Sequence, residues 1–167
     1  LTRIELPNGG RLFRYMRESG AHWGYLHIAG DGSAKVVLEQ PALVSTDPLE
    51  VDPFEDRVGI SRHGDHFAVP SLLGGIYIVK LDGTNYASTN SPSRLVAPTT
   101  FIENSSVMIG DTAVWFQNDN QEVFFCDLAD NATPVDVSPP TISEAELDDE
   151  MAMAGDGSKV AFLYGLE

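Results

Sequence analysis

Four histidines (His22, His27, His63 and His66) and one cysteine (Cys126) are the residues from which metal or nucleophilic chemistry would have to be built. A metal centre needs three or four converging ligands. His63 and His66, three apart around a turn, supply two at most, and His22 and His27 belong to a separate strand. The His63 and His66 pair reads as exposed turn histidines, so no metal is expected. Ser61 and His63 are two apart and share a strand face, but this pair lacks an orienting carboxylate and an oxyanion hole. The chain contains no Gly-x-Ser-x-Gly elbow, no His-Glu-x-x-His and no phosphate-cradling Gly-rich loop ending in Lys-Ser or Lys-Thr. The expectation is no catalytic residue and no cofactor.

Cys126 on its own forbids an internal disulfide and offers no zinc spacing, so it reads as a small buried hydrophobe. Trp23, Tyr25, Trp115, Phe116, Phe124 and Phe125 would suit a stacking surface for a sugar or peptide. Their places on central strands make them core instead, each worth about 1.5–3 kcal/mol if fully buried. Asn104-Ser105-Ser106 and Asn131-Ala132-Thr133 match the glycosylation sequon, which matters only in a secretory setting.

The acids carry more information. Lys and Arg number 10 against 25 Asp and Glu, a net charge of −15 on 167 residues. Such a field opposes nucleic acid and anionic membrane and favours basic partners or cations. Eleven of the 25 acids fall in three connecting segments, 41–57, 98–105 and 139–150. The candidate binding residues are Asp47, Glu50, Asp52, Glu55 and Asp56 in the first segment. Glu144, Glu146, Asp148, Asp149 and Glu150 lie in the last, and Glu103 between them. These segments are read as loops on one face of a rigid scaffold, where binding function concentrates. Residues 143–151, SEAELDDEM, are the one helix candidate, because acids suit a helix N-terminus.

Internal repetition supplies that scaffold. GISRHGDHFAVPSLLGGIYIVKLDG from Gly59, MIGDTAVWFQNDNQEVFFCDLAD from Met108 and MAMAGDGSKVAFLYG from Met151 share one layout. Each has a short apolar strand, a turn with Gly and Asp, and a second apolar strand. Gly64, Gly110 and Gly155 are 46 and 45 residues apart. A looser copy turns at Asn8-Gly9-Gly10. The runs are short and rich in Val, Ile, Phe and Tyr, which favours strands over helices. Both faces of IYIVKLD are apolar, as a sheet covered on both sides requires. The expected strands are 2–7, 11–17, 22–30 and 35–40; then 58–62, 66–72, 75–81 and 93–97; then 106–109, 112–117, 122–128 and 134–138; and finally 151–154 and 159–164. Pro70 lacks an N–H, so strand 66–72 should bulge or end there.

ISRHGDHFAV (60–69) and AMAGDGSKVAFLYG (152–165) resemble the repeat of TolB-like propellers, a cousin of the WD-repeat pattern. Asp156-Gly157-Ser158-Lys159-Val160 fits best; Gly64-Asp65-His66 and Gly110-Asp111-Thr112 depart from it, and the Ser-Pro before the turn is absent. The resemblance implies an all-β chain forming one repeat domain over 1–167, an incomplete ring of about three and a half four-stranded blades. Further blades or a second copy would complete it. It also implies a protein-binding platform, with a periplasmic or extracellular setting. Its alternatives are an accessory propeller of a hydrolase whose catalytic domain lies elsewhere, and a propeller lyase with histidine-bound metal. No run of apolar residues is long enough for a membrane span. The opening LTRIELPNGG lacks both Met and a signal-peptide pattern, from which removal of an upstream segment is expected.

Overall fold

The computed structural model describes residues 3–16, 22–41, 58–71, 75–96, 107–117, 122–138, 145–154 and 156–166, and all regular structure among them is β-strand. The first sheet holds β1 (Arg3–Glu5), β2 (Arg11–Met16), β3 (His22–Ile28) and β4 (Ala34–Pro41). The second holds β5 (Gly59–Ile60), β6 (His66–Pro70), β7 (Ile76–Lys80) and β8 (Ser93–Val96). The third holds β9 (Val107–Ile109), β10 (Ala113–Gln117), β11 (Val123–Asp127) and β12 (Val135–Asp136). A fourth, of two strands, pairs β13 (Ala145–Met153) with β14 (Val160–Leu166). Every pairing is antiparallel, and within each sheet the strands follow chain order. The chain is all-β, as its turn-rich apolar runs predict.

Alternation of side chains decides how the sheets meet. Phe67, Val69, Val79 and Leu81 lie on one face of the second sheet and join Leu6, Leu12, Tyr25 and Leu38 of the first in one core. The Tyr25 and Phe67 rings meet at 5.0 Å, tilted. Ala68, Ile76, Ile78 and Val96 lie on the other face and join Val107, Ile109, Val114, Phe116 and Cys126 of the third. The second sheet is therefore covered on both sides, which accounts for its apolar residues at odd and even positions alike.

β6 ends at Pro70, one of the two outcomes expected there. Leu81 N–H bonds Asp65 O and Ser71 N–H bonds Gly75 O, so odd-numbered positions of β6 carry the bonds to β7. The nitrogen of Pro70 thus faces the β5 side, where β5 begins at Gly59 opposite Ala68. No ladder bond to β7 is lost.

The turns joining the first two strands of each sheet form a connected line. Asn8 Nδ2 donates to Gly64 O at 2.8 Å, His63 Nε2 lies 3.4 Å from Asp111 Oδ2, and Thr112 Oγ1 donates to Asp156 O at 3.1 Å. The closing bonds Leu6 N–H to Gly10 O, Ser61 N–H to His66 O, Gly110 N–H to Ala113 O and Ala154 N–H to Lys159 O place these turns in register. This corrects the spacing read from glycines. Gly110 opens a shorter turn and corresponds to Ser61, not to Gly64; Gly155 lies outside the described residues. The corresponding glycines are Gly9, Gly64 and Gly157, whose φ values of 81°, 70° and 77° are left-handed.

A second correction concerns 143–151. From Ala145 onward this run is the first part of β13, neither helix nor loop. Glu, Ala, Leu and Met favour helix locally, but six register pairs with β14 override that preference.

Gly110 packs so closely on the last hairpin that a Cβ there would lie 2.4 Å from Gly157 N and Cα. Gly110→Ala should therefore cost about 1–3 kcal/mol in urea unfolding. Gly30→Ala, whose nearest neighbour would be 3.9 Å away, should stay within about 0.5 kcal/mol of the parent.

Candidate functional site

Ser61, Asp65 and His66 form a chain at the corner of the second sheet. Ser61 Oγ donates to Asp65 Oδ1 at 2.6 Å and accepts from the Asp65 and His66 N–H groups. Asp65 Oδ1 also lies 3.2 Å from His66 Nδ1. The order is serine, carboxylate, imidazole, whereas nucleophile activation needs the imidazole between the other two. Ser61 is also fully buried. Burial pushes the Asp65 carboxyl up, but the Ser61 hydroxyl and His66 more than offset this and hold it below the ordinary value. The group is a turn lock.

His63 is exposed, as expected, and reaches across to Asp111 of the third sheet, while His66, expected to be exposed, is half-buried and turns back to Asp65. The two histidines serve different sheets, and among the described residues no three His, Cys, Asp or Glu side chains could share a metal ion.

A second polar group lies between the second and third sheets, and sequence reasoning did not single it out. Arg94, on β8, is buried. Its guanidinium donates to Ala132 O at 2.9 Å and to Asp127 O at 2.7 Å, and Nη2 lies 3.8 Å from Cys126 Sγ. The ring of Tyr86 has Lys80 Nζ 4.3 Å and the Arg94 guanidinium 5.3 Å from its centre. Burial pushes the Tyr86 hydroxyl up to about 12, and burial likewise raises the Cys126 thiol. A thiol held protonated and fully buried is no nucleophile. An arginine in a SRLV strand looks like an ordinary exposed residue until the carbonyls of the facing sheet are known.

Of the aromatic residues expected in the core, Tyr25 and Phe116 lie there and Phe124 packs against it, whereas Trp115 and Phe125 are half-buried outside both cores. Tyr25 and Phe116 are buried, and Trp115 Nε1 donates to Gly157 O at 2.8 Å. Phe124 and Phe125 are half-buried against Phe116 and Trp115.

The expected acidic binding residues separate into two groups. Asp47, Glu50, Asp52, Glu55, Asp56, Glu103 and Glu144 lie outside the described residues. Glu146, Asp148, Asp149 and Glu150 fall on β13. Leu147 pairs with Tyr164 and Met151 with Phe162, so residues 148–150 together oppose Leu163 alone. These three acids thus occupy a bulge in a strand, with β14 on one side and no strand paired on the other among the described residues.

One acidic motif is structural. Asp31, Asp82, Asp136 and Asp156 each accept bonds from the N–H and hydroxyl of the residue two positions on, Ser33, Thr84, Ser138 and Ser158. These bonds hold the carboxyls of Asp31 and Asp136 below their ordinary value, and that of Asp156 likewise. For Asp82 burial works upward, and the Thr84 bonds outweigh it. Hydrogen bonding of this kind rigidifies turns without ligand chemistry.

No protein-family model, curated protein or solved structure matches this chain.

Two measurements follow from these environments. His27 is buried, and burial lowers its pKa from 6.5, so the unfolded chain takes up this proton first. Stability present above that pH should fall as pH drops below 6.5, and His27→Gln should remove this arm of the urea-midpoint profile. The five depressed aspartates, Asp65 and the four of the turn motif, give a separate arm, with stability present above 3.8 and lost below it. Arg94→Leu, which strips two carbonyls of their donor, should cost about 1.5–3 kcal/mol in the same assay.

Proposed function

We propose that this chain is a non-catalytic protein-binding module whose sheets are consecutive propeller blades, and that it captures a basic segment of a partner protein. Face-to-face packing of the sheets in chain order, with their first turns in line, supports the blade reading. The observation that carries the binding reading is the placement of Glu146, Asp148, Asp149 and Glu150 on β13, a strand paired on one side only among the described residues. Such a strand offers unpaired backbone groups to an incoming extended peptide. Its carboxylates repel another acidic strand and attract a lysine- or arginine-rich one, which gives the edge a preference. The net charge of −15 adds attraction at longer range.

Titration with a lysine- and arginine-rich peptide by calorimetry tests this. Binding should weaken steeply with added salt, and the combined variant Glu146→Lys, Asp148→Lys, Asp149→Lys and Glu150→Lys should lose at least tenfold in affinity, about 1.4 kcal/mol. Binding that ignores both changes would overturn the reading.

A further inference from the structure

The closing bonds of the four turns align the strand pairs next to them: Glu5–Arg11, Ile60–Phe67, Ile109–Val114 and Met153–Val160. In the second and third sheets this pair faces the preceding sheet. Ile60 and Phe67 pack on the core shared with the first sheet, and Ile109 and Val114 on the core shared with the second. We call this the back face. Two residues further from the turn the back face carries Val107–Phe116 in the third sheet. In the first sheet the same place is taken by Arg3–Phe13. The first sheet thus has Arg3, Glu5 and Arg11 at positions that are apolar in the two sheets stacked behind it. Arg3 Nη2 and Arg11 Nε both contact the carboxylate of Glu5, the latter at 3.4 Å, and all three side chains are half-exposed.

The outer strands of that same face are apolar. Phe13, Leu26 and Ile28 are half-buried, and Val36 is 46% exposed. Their counterparts in the second sheet, Val69 and Val79, are fully buried under the first. The back face of the first sheet is therefore built like a stacking face, with a charged inner corner.

A covering sheet must satisfy two conditions. It needs carboxylates near its first strand, because two arginines share one glutamate and stranding them in a dry contact is costly. It also needs small residues opposite the long Arg11 and Glu5 side chains. The last sheet meets both. On its forward face the pair next to the turn is Ala152–Ala161, and Ala161 is exposed. Its first strand is β13, with Asp148, Asp149 and Glu150 just beyond Met151, the counterpart of Arg3. First strands of successive sheets lie side by side: a Cβ on Gly59 of β5 would lie 3.0 Å from Val107 O of β9.

We infer that the back face of the first sheet docks on the forward face of the β13–β14 sheet of a second copy of this chain. The contact continues, between copies, the back-to-front stacking that joins the sheets within one. Arg3 and Arg11 come to the level of the acidic run 148–150 of β13, and Phe13, Leu26, Ile28 and Val36 supply apolar area. The two surfaces differ, so the contact is heterologous, and two copies make it twice when its rotation closes the ring.

Sedimentation velocity of the whole chain tests this. Wild-type chain should assemble reversibly, less so at high salt. Arg3→Glu with Arg11→Glu, a change confined to half-exposed side chains, should weaken assembly about tenfold or more, with far-UV circular dichroism unchanged. Asp148→Lys, Asp149→Lys and Glu150→Lys should do the same. Mixing the two reversed chains should restore assembly, since one reversed interface and one native interface then coexist. A chain that stays monomeric at every concentration, assembly indifferent to the arginine reversal, or a mixture that fails to assemble would each overturn the inference. The arginine arm leaves β13 untouched, so failure here is separable from failure of basic-peptide binding.

Discussion

Phe67, Val69 and Val79 point to one side of the second sheet, and Ala68, Ile76 and Ile78 to the other, with no exposed surface left on any of them. Two cores are therefore anchored on the same two strands, β6 and β7. A slip of one residue in their pairing would exchange the two sets between faces and spoil both contacts at once. The four-stranded sheets on either side depend on this register, because each faces a surface that the alternation alone creates. Pro70 sits where the constraint relaxes, at the last position of β6, with its nitrogen turned from the β7 ladder.

Apolar contact has no direction, so it stacks sheets without fixing how they are rotated or offset. Polar bonds supply that. Asn8 to Gly64, His63 to Asp111 and Thr112 to Asp156 tie corresponding turns together in sequence. Arg94 performs the equivalent task between the second and third sheets, since its fork needs the carbonyls of Asp127 and Ala132 in one arrangement. Asp130 adds a further tie, accepting from Ala87 N–H at 2.8 Å and Ser88 Oγ at 3.1 Å. Turn residues that look like candidates for chemistry are thus spent on alignment. Ser61 is the clearest case, a buried hydroxyl committed to its own turn.

Strand positions were legible because they rest on local pattern: short β-branched and aromatic runs bounded by Gly, Asn and Asp. The expected strands 11–17, 66–72, 112–117 and 122–128 correspond to β2, β6, β10 and β11 within two residues at each end. Two features were not legible. The run SEAELDDEM has helical propensity, and only the distant segment VAFLYG makes it a strand. The glycine spacing misaligned the third turn, because Gly110 and Ala113 close a loop two residues shorter than Ser61 and His66 do. A missing pair of residues in a turn leaves no mark in composition. Arg94 belongs to a third kind, a residue whose role exists only through groups on another sheet.

The two ends of the array differ from its middle in a way that bears on solubility and selectivity together. Interior sheets hide Ile60, Phe67, Ile109 and Val114, and the first sheet places Glu5, Arg11 and Arg3 at the corresponding corner. Exposed ion pairs of this sort add little stability, about 0–1 kcal/mol. Their value lies in what they forbid. A purely apolar partner would have to desolvate three charges without replacing their hydration, which costs more than the contact returns. The corner can therefore sit in water at little cost, and burying it without carboxylates opposite the arginines would be unfavourable.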